Sequence, residues 1–288
     1  MQQSESAAKL ENGSAHRPTA REPSAVGHNA GMETISLAQR LEMREPPLGR
    51  PIGFHHWQDL AFLHWRVAPE LIAPLIPDGL TLDTWDGDAW VGLVPFFMSG
   101  VRPWWSPPVP GISNFAETNV RTYVHYRGTG PGVWFFSLDA ASSLAVRVAR
   151  WRWNLNYFRA RMQVRPTERG VTYSSHRLWP EPAGAMSEIA IEFADENSHS
   201  QALRLAEPGS LDFFLVERYV MYMQPKNGEL RGGRVWHRPY PLRDVRLASC
   251  EETMLASSGI KTHGPPCHVA FSPGVQVRIF APYELTAT

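Results

Sequence analysis

Four polar residues at two-residue spacing, Glu117, Asn119, Arg121 and Tyr123, are the strongest candidates for chemistry in this sequence. Alternate residues of a β-strand share a face, so a strand through this segment would place all four side chains in one row. A guanidinium can bind a carboxylate through paired hydrogen bonds, and a carboxylate or phenol can move a proton. The row is either a wet outer face of a sheet or the lining of a polar cavity.

The segment that carries this row is predicted to be a β-hairpin. Polar and apolar residues alternate over 117–126, the sequence Gly-Thr-Gly-Pro-Gly at 128–132 indicates a turn, and an apolar run follows over 133–138. Alternation, a glycine-rich turn and a second β-rich run are typical of two antiparallel strands.

The rest of the chain after residue 52 predicts further hairpins and a few short helices. Strands are expected at 60–67, 81–85, 89–101, 159–165, 171–177, 186–193, 219–224, 230–237, 244–248, 269–272 and 275–280, and helices at 69–76, 140–153 and 210–216. This pattern favours an α+β fold, mostly antiparallel, with a curved sheet or barrel. No alternating βαβ units and no glycine-rich phosphate loop after a strand are visible, which disfavours a nucleotide-binding domain.

Residues 1–48 are predicted to be a disordered N-terminal tail, and residues 49–288 a single domain. The tail is rich in Ser, Ala, Glu, Gly and Pro and has few large apolar groups, so it cannot bury enough surface to offset its ordering entropy. One short helix is predicted within it at 35–43.

Composition excludes several classes of function. The formal net charge is +0, which removes the electrostatic footprint of a nucleic-acid-binding protein. No apolar run approaches the ~20 residues of a membrane-spanning helix, and the N-terminus lacks the pattern of a secretory signal. Cys250 and Cys267 are too few for a disulfide framework or a zinc cluster, so we expect a reduced, cytoplasmic setting.

Several stretches resemble the YqjF-like family of unknown function (DUF2071), in order along residues 54–247. They include Ile76-Pro77-Asp78-Gly79-Leu80, Gly87-Asp88-Ala89-Trp90-Val91-Gly92-Leu93-Val94, Asn119-Val120-Arg121-Thr122-Tyr123-Val124, Gly132-Val133-Trp134-Phe135-Phe136-Ser137-Leu138-Asp139, Val216-Glu217-Arg218-Tyr219 and His237-Arg238-Pro239-Tyr240-Pro241-Leu242. That family is similar to the acetoacetate decarboxylase-like superfamily. The resemblance implies a cone-shaped, mostly antiparallel β-barrel that encloses a polar cavity.

The resemblance also indicates a difference in chemistry. In the decarboxylases a lysine forms a Schiff base with the keto acid, after a neighbouring cation has lowered its pKa. The corresponding region here, residues 154–160, contains no lysine, and Lys9, Lys226 and Lys261 fall in the predicted tail, a predicted hairpin tip and a predicted loop. We therefore expect no decarboxylation through an imine, and we expect no cofactor.

The resemblance implies that Glu117 faces a substrate, as a glutamate on a comparable strand does in the superfamily. Arg121 then either pairs with Glu117 in the interior or binds a substrate carboxylate. Tyr123 either donates its hydroxyl to an oxyanion or simply packs in the barrel. The catalytic candidates are thus Glu117 as proton carrier, Arg121 as anion clamp and Tyr123 as hydrogen-bond donor.

A second group of residues is predicted to contact the ligand: Asn119, His64, Arg177 and His237. Imidazole titrates near neutrality, so His64 and His237 are also candidate general bases, although a hydrogen-bonded structural histidine is the alternative for both. Arg177 ends a predicted strand from which it can point inward. No histidine pair has the spacing of a helical metal motif, and no metal site is predicted.

Two kinds of function remain open from the sequence. One is a small-molecule-binding barrel that acts, without a cofactor, as an enzyme on a small acidic or carbonyl compound. The other is a non-catalytic ligand-binding or scaffold protein. A homo-oligomer that uses the Trp-rich loop at 102–111 as its interface is compatible with both. The substrate and the reaction are not predicted.

Overall fold

The computed structural model describes residues 34–194, 203–225 and 228–285. Its strands are β1 (Gly53–Val67), β2 (Leu80–Leu82), β3 (Ala89–Pro103), β4 (Phe115–Tyr126), β5 (Thr129–Ala140), β6 (Tyr157–Pro166), β7 (Gly170–Trp179), β8 (Met186–Phe193), β9 (Arg204–Leu205), β10 (Val220–Met223), β11 (Arg231–His237), β12 (Pro241–Leu242), β13 (Val245–Glu252), β14 (His268–Ile279) and β15 (Tyr283–Glu284). Its helices are α1 (Leu37–Glu42), α2 (Pro69–Ile72), α3 (Ser143–Trp153), α4 (Leu211–Val216) and α5 (Met254–Ser257), with a 3-10 turn over Ala73–Leu75.

Seven of these strands close into a barrel in the order β1-β3-β4-β5-β10-β11-β14 and back to β1. Six neighbouring pairs are antiparallel and one pair, β5–β10, is parallel. The end of β5 also pairs, in parallel, with β6, from which β7, β8 and β13 continue as an additional sheet. The predicted α+β, mostly antiparallel barrel with a few short helices is confirmed.

Two large apolar clusters fill this architecture. The first takes side chains from all seven barrel strands and from α4, so it marks the barrel interior; among its members are Leu60, Phe62, Val94, Phe96, Tyr123, Val133, Phe214, Met221, Val235 and Val277. The second lies between the outer face of β1, β3 and β4 and the additional sheet, and includes Leu63, Leu93, Val120, Tyr173, Ile189 and Ile191. In β4, therefore, Tyr123 and the residues at two-residue spacing from it face inward, and Val120 faces outward.

Strand β1 is longer than the sequence predicted. It begins at Gly53, seven residues before the predicted start at Leu60, and pairs with β14 from Gly53 opposite Ile279 onward. Polar residues at 55, 56, 58 and 59 hide this half of the strand, because they break the apolar alternation that identifies strands in a sequence.

The short helix predicted at 35–43 is present as α1 and lies against the barrel. Ser36 and Gln39 form a reciprocal capping box at its start, which satisfies exposed amides of the first turn. Arg40 in its last turn donates two hydrogen bonds to Asp83, at 2.7 and 2.6 Å. The predicted tail of residues 1–48 included this helix, because ion pairs with distant residues leave no local pattern in the sequence. Residues 1–33 of that predicted tail lie outside the described residues.

Arg40→Ala is expected to lower the unfolding free energy by about 2 kcal/mol, because a buried carboxylate then loses one of its two charged donors. Asp83 keeps its ion pair with Arg218 at 2.5 Å, so the protein should still fold. Urea titration of the two proteins measures the difference. Arg66→Ala is the matched control, since Arg66 is half exposed and its pair with Asp88 should contribute under 1 kcal/mol; equal effects of the two substitutions would contradict the docking role of α1.

None of the helices in the described parts of the chain is long and apolar enough to cross a membrane.

Candidate ligand site inside the barrel

The polar row of β4 is buried along its whole length. Glu117, Asn119, Arg121 and Tyr123 are all less than a tenth exposed, and Tyr123 is completely buried. Their positions alternate with outward-facing Val120, so the row faces the barrel interior rather than solvent. The sequence left open whether this row lies on a wet outer face or lines the interior, and the observed burial matches the interior position.

Arg121, Tyr123 and His64 form one hydrogen-bonded cluster in this interior. The Tyr123 hydroxyl lies 2.7 Å from Nε2 of His64 and donates to the backbone oxygen of Leu215 at 2.8 Å. Nη2 of Arg121 donates to the same Leu215 oxygen at 3.0 Å. The structure thus brings together three of the residues that the sequence singled out, and α4 supplies the carbonyl that joins them.

Gly92 of β3 makes this cluster possible. In the strand register it lies opposite His64 on one side and opposite Arg121 on the other. A Cβ atom at position 92 would lie 3.0 Å from the His64 ring and 3.5 Å from Cγ of Arg121. Because glycine leaves this space empty, His64 of β1 can reach across β3 to side chains of β4.

Arg121 is a buried cation whose hydrogen bonds go only to neutral oxygens. Its guanidinium donates to the Leu215 carbonyl and, weakly at 3.4 Å, to the Tyr123 hydroxyl, and it lies 5.6 Å from the centres of the Phe62 and Tyr123 rings. No carboxylate of the described residues lies within ion-pair distance of it. Its Nε is buried without a hydrogen-bond partner. The Glu117–Arg121 pair that the sequence allowed is therefore not formed.

A second guanidinium, that of Arg218, also lies over the Tyr123 ring, 4.8 Å from its centre. Arg218 pairs with Asp83, which also receives Arg40 of α1. Burial alone would raise the pKa of Asp83, but the two guanidiniums hold it below its usual range. Nη2 of Arg218 has no partner and is buried. Three arginines thus surround one carboxylate and one phenol.

Burial controls the protonation of the cluster. Desolvation, followed by the charges of His268 and Arg121, holds the pKa of His64 well below its usual range. Desolvation also raises the pKa of Tyr123, although Arg121 and Arg218 act against it. A neutral imidazole and a neutral phenol are therefore the ground state, and both can donate or accept a hydrogen bond.

Glu117 lies apart from this cluster. Glu117 and Arg121 share the inward face of β4, but four residues of extended strand separate their Cα atoms by about 13 Å. The carboxylate accepts a hydrogen bond from Tyr157 at 2.8 Å. Burial raises its pKa to about 8, partly offset by the Tyr157 hydrogen bond and reinforced by Asp139, so the carboxyl group is largely neutral at pH 7.

The other predicted contacts occupy different places. Arg177 lies on the outer side of β5, where it forms a buried ion pair with Asp139 at 2.6 Å and stacks on Phe158. His237 is inside the barrel, but its ring nitrogens face backbone oxygens at 2.7 and 3.4 Å. Asn119 is inside as well, and its Oδ1 is buried without a partner. Among the residues predicted to contact the ligand, Arg177 is thus the one that lies outside the barrel interior.

Two residues that extend the cluster were missed in the sequence. His268 is the direct cross-strand neighbour of His64, and their Nδ1 atoms are 2.9 Å apart. Nε2 of His268 lies 2.7 Å from Asp212 of α4. In the sequence, His268 follows two prolines and a cysteine, a pattern typical of a loop. Asp212 looks like an ordinary acidic residue in the first turn of a helix. The β1–β14 register places His268 beside His64, and the packing of α4 places Asp212 beside His268; neither is local in sequence.

The two prominent grooves of the described surface lie elsewhere. The larger, about 660 Å³, is lined by α3 and by residues such as Trp134, Trp151 and Trp179, and the second, about 270 Å³, lies on the additional sheet. Neither is lined by Arg121 or Glu117. No group of three or more His, Cys, Asp or Glu residues in the described ranges could hold a metal ion.

The barrel defines a class of fold, that of the acetoacetate decarboxylase-like enzymes. The chain superimposes on such an enzyme from Sphingomonas wittichii RW1 with a TM-score of 0.55 and 11% identity, over 84% of this chain and 96% of that one. It also superimposes on the enduracididine biosynthesis enzyme MppR complexed with pyruvate, with a TM-score of 0.52 and 11% identity, over 84% and 93% of the two chains. At these identities the likeness shows the fold alone.

The chain belongs to the DUF2071 family, described as an uncharacterized conserved protein, whose model matches residues 55–276. It is 35% identical over 207 residues to the uncharacterized protein YqjF of Bacillus subtilis strain 168, which covers 71% of this chain and 80% of YqjF. The family resemblance inferred from the sequence motifs is thereby confirmed, and the fold matches that of acetoacetate decarboxylase-like enzymes.

Proposed function

We propose that this protein binds a small compound bearing a carboxylate inside its barrel, with Arg121 as the anchoring cation. The observation that carries the proposal is that Arg121 is only 8% exposed and that its guanidinium has only neutral oxygens as hydrogen-bond partners. A buried charge without a counter-charge is costly, and such groups are normally paired. A ligand carboxylate would supply the missing charge and accept hydrogen bonds from the guanidinium.

Unpartnered polar atoms near Arg121 support this proposal. Nε of Arg121, Nη2 of Arg218 and Oδ1 of Asn119 are all buried without a hydrogen bond. Buried polar groups in folded proteins are nearly always paired, so unpaired ones call for an unseen partner. The first two are donors on guanidiniums that both lie over the same tyrosine ring, which suits an anion with two or more oxygens.

The ligand we propose is small. Phe62, Tyr123 and Phe214 pack around the cluster, so a bound molecule must fit among large side chains. MppR, which shares the fold, is described in complex with pyruvate, and this makes pyruvate a suitable first probe. Pyruvate carries a carboxylate for Arg121 and a carbonyl oxygen that the Tyr123 hydroxyl can reach as a hydrogen-bond donor.

The catalytic version of this function uses proton transfer without a covalent lysine intermediate. In the described ranges the only lysine is Lys261, and it is exposed outside the barrel strands. A Schiff-base amine must be desolvated to be neutral and nucleophilic, which this position does not provide. We propose instead that Tyr123, backed by His64, donates to the carbonyl oxygen of a ligand held by Arg121; Glu117 is too far along β4 to share that ligand.

Arg121→Met is expected to abolish the stabilisation of the protein by small carboxylates. Pyruvate at 100 times its Kd should stabilise the wild-type protein by about 2.7 kcal/mol, because only the folded state binds it. Thermal unfolding with pyruvate, acetoacetate and lactate at pH 7 measures this gain. Without ligand, Arg121→Met should unfold at the wild-type temperature or above it, because the variant no longer buries an unpaired charge.

Two controls make this result specific. The primary amide of pyruvate has the same shape without the charge and should give no stabilisation. Arg66→Met removes a half-exposed arginine and should leave the carboxylate response unchanged. Absence of a response to every carboxylate, or the same response in Arg121→Met, would overturn the proposal.

A second candidate is a ligand-binding protein without catalysis. It is favoured by the positions of the two grooves described above, since neither of them is lined by Arg121. Proton NMR of pyruvate in D2O separates the two: a catalytic barrel accelerates exchange of the methyl protons, and Tyr123→Phe removes the acceleration. Binding with no acceleration in the wild-type protein assigns the non-catalytic function.

A further inference from the structure

Four side chains are joined in series by hydrogen bonds that lead from the edge of the barrel to its interior. We call this series the relay; its members are Asp212, His268, His64 and Tyr123, and the three contacts between them measure 2.7, 2.9 and 2.7 Å. Exposure falls along the series from 22% for the Asp212 side chain and 10% for that of His268 to zero for the last two members. The relay therefore connects solvent with the proposed ligand site.

The relay has acceptors at both ends. Asp212 is a carboxylate, and the pKa that its hydrogen bond to His268 lowers to about 2 keeps it ionised above that pH. At the other end the Tyr123 hydroxyl faces the Leu215 carbonyl. Four hydrogen bonds in series thus need four protons, whereas a tyrosine and two neutral histidines supply only three.

The fully connected relay accordingly holds one additional proton, and the structure indicates where it lies. Arg121 and complete burial disfavour a positive charge on His64. His268 is next to Asp212, which is itself held by Arg204 at 2.6 Å. An imidazolium at His268 and a carboxylate at Asp212 form an ion pair, so the additional proton belongs to His268.

We propose that the relay stores one transferable proton on His268 and delivers it to the ligand through the Tyr123 hydroxyl. In the delivery step the Tyr123 O–H bond breaks as its proton moves to an oxygen of the ligand. Nε2–H of His64 transfers its proton to the Tyr123 oxygen, and Nδ1–H of His268 transfers its proton to Nδ1 of His64. The net change is one proton gained by the ligand and one charge lost by His268.

The relay gives a role to two features that the binding proposal does not explain, the glycine at position 92 and the hydrogen bond from Arg121 to Leu215. Gly92 is needed so that His64 can reach Tyr123, since a side chain there would collide with the imidazole. The hydrogen bond from Arg121 to the Leu215 carbonyl keeps that oxygen satisfied when the Tyr123 hydroxyl turns away from it. Three other groups lie near the two imidazoles. Arg121 acts on His64 through its charge, Arg204 pairs with Asp212, and the Cys267 thiol contacts the backbone oxygen of His64.

This inference deepens the proposed function, but its test uses the protein without ligand, so that the two can fail separately. Long-range proton–nitrogen NMR of protein labelled with 15N-histidine reports which ring nitrogen carries a proton. As pH rises, His64 is expected to change from the Nε2–H to the Nδ1–H tautomer at the same midpoint at which His268 loses its charge. A constant His64 tautomer during titration of His268, or a His268 that is neutral throughout, would overturn the relay.

Asp212→Asn is the informative variant. Without the carboxylate the ion pair with His268 is lost and the midpoint should move to lower pH, while His64 still changes tautomer together with His268. Asp244→Asn is the matched control, because Asp244 pairs with the same Arg204 at 3.0 Å but does not contact His268. A shift of equal size in both variants would assign the effect to surface charge and contradict the relay; the wild-type titration decides the matter if Asp212→Asn does not fold.

Discussion

Glu117→Gln is expected to make the protein markedly more stable at pH 8 and to leave it nearly unchanged at pH 4.5. Burial raises the pKa of Glu117 from 4.5 in the unfolded chain to about 8 in the folded protein. Between these values the unfolded state has released the proton while the folded state keeps it, so folding becomes less favourable as pH rises. Each pH unit in this window costs about 1.4 kcal/mol, and glutamine removes that cost.

The substitution keeps the local structure intact. Glutamine has the same shape, and its carbonyl oxygen can accept the hydrogen bond that Tyr157 now donates to Glu117. Urea unfolding at pH 5, 6, 7 and 8 should show stabilities that differ by under about 1 kcal/mol at pH 5 and by about 3 kcal/mol or more near pH 8. Glu188→Gln, at an exposed position of β8, is the control and should follow the wild type at every pH. A Glu117→Gln curve parallel to that of the wild type would show that Glu117 is ionised in the folded protein.

Arg177→Met is expected to destabilise the protein by about 3 to 5 kcal/mol, because it leaves the Asp139 carboxylate buried without its partner. The pair is almost inaccessible, with side-chain exposures of 1% and 0%. The guanidinium makes two hydrogen bonds to Asp139, at 2.8 and 2.6 Å, and one to Ser257 at 3.0 Å. Unfolding by urea at pH 7 measures the loss.

The double variant Asp139→Leu/Arg177→Met distinguishes a buried pair from simple packing. Removing both charges avoids the isolated carboxylate, so the double variant should be more stable than Arg177→Met alone. Arg246→Met provides the surface reference, since its pair with Glu192 is largely exposed and should contribute under 1 kcal/mol. The single variant Asp139→Leu completes the comparison. If the losses of stability in Asp139→Leu and Arg177→Met simply add in the double variant, the ion pair is not the source of the loss.

The local parts of the fold could be predicted from the sequence. The hairpin of β4 and β5 follows from alternation and a glycine-rich turn, α3 follows from its apolar spacing, and α4 follows from its serine cap. The start of β1 could not be predicted, because its polar residues are stabilised by pairing with β14, more than 200 residues away. The parallel contact between β5 and β10 is likewise invisible in any local pattern.

The residues that β4 contributes to the candidate site could be predicted from the sequence, whereas their contacts with residues of other strands could not. The spacing of Arg121 and Tyr123 places both on one face, and family resemblance pointed that face inward. The contribution of His268 depends on its register opposite His64, and Arg177 finds its partner on the outer side of the barrel through β6 and β7. Register and sidedness arise from tertiary packing, so a single sequence does not encode them in nearby residues.

Seven is an odd number, and this has a consequence for where α4 lies. Strands that reverse direction at every step cannot close a ring with an odd count, so at least one neighbouring pair must run the same way. Here that pair is β5–β10, and two strands of equal direction need a long return path between them. The chain makes this return over residues 141–219, and α4, with its aspartate and its carbonyl, lies on the last stretch of it. Because the parallel pair of this barrel falls between β5 and β10, the connection between these two strands is the segment that brings these groups of α4 to Tyr123.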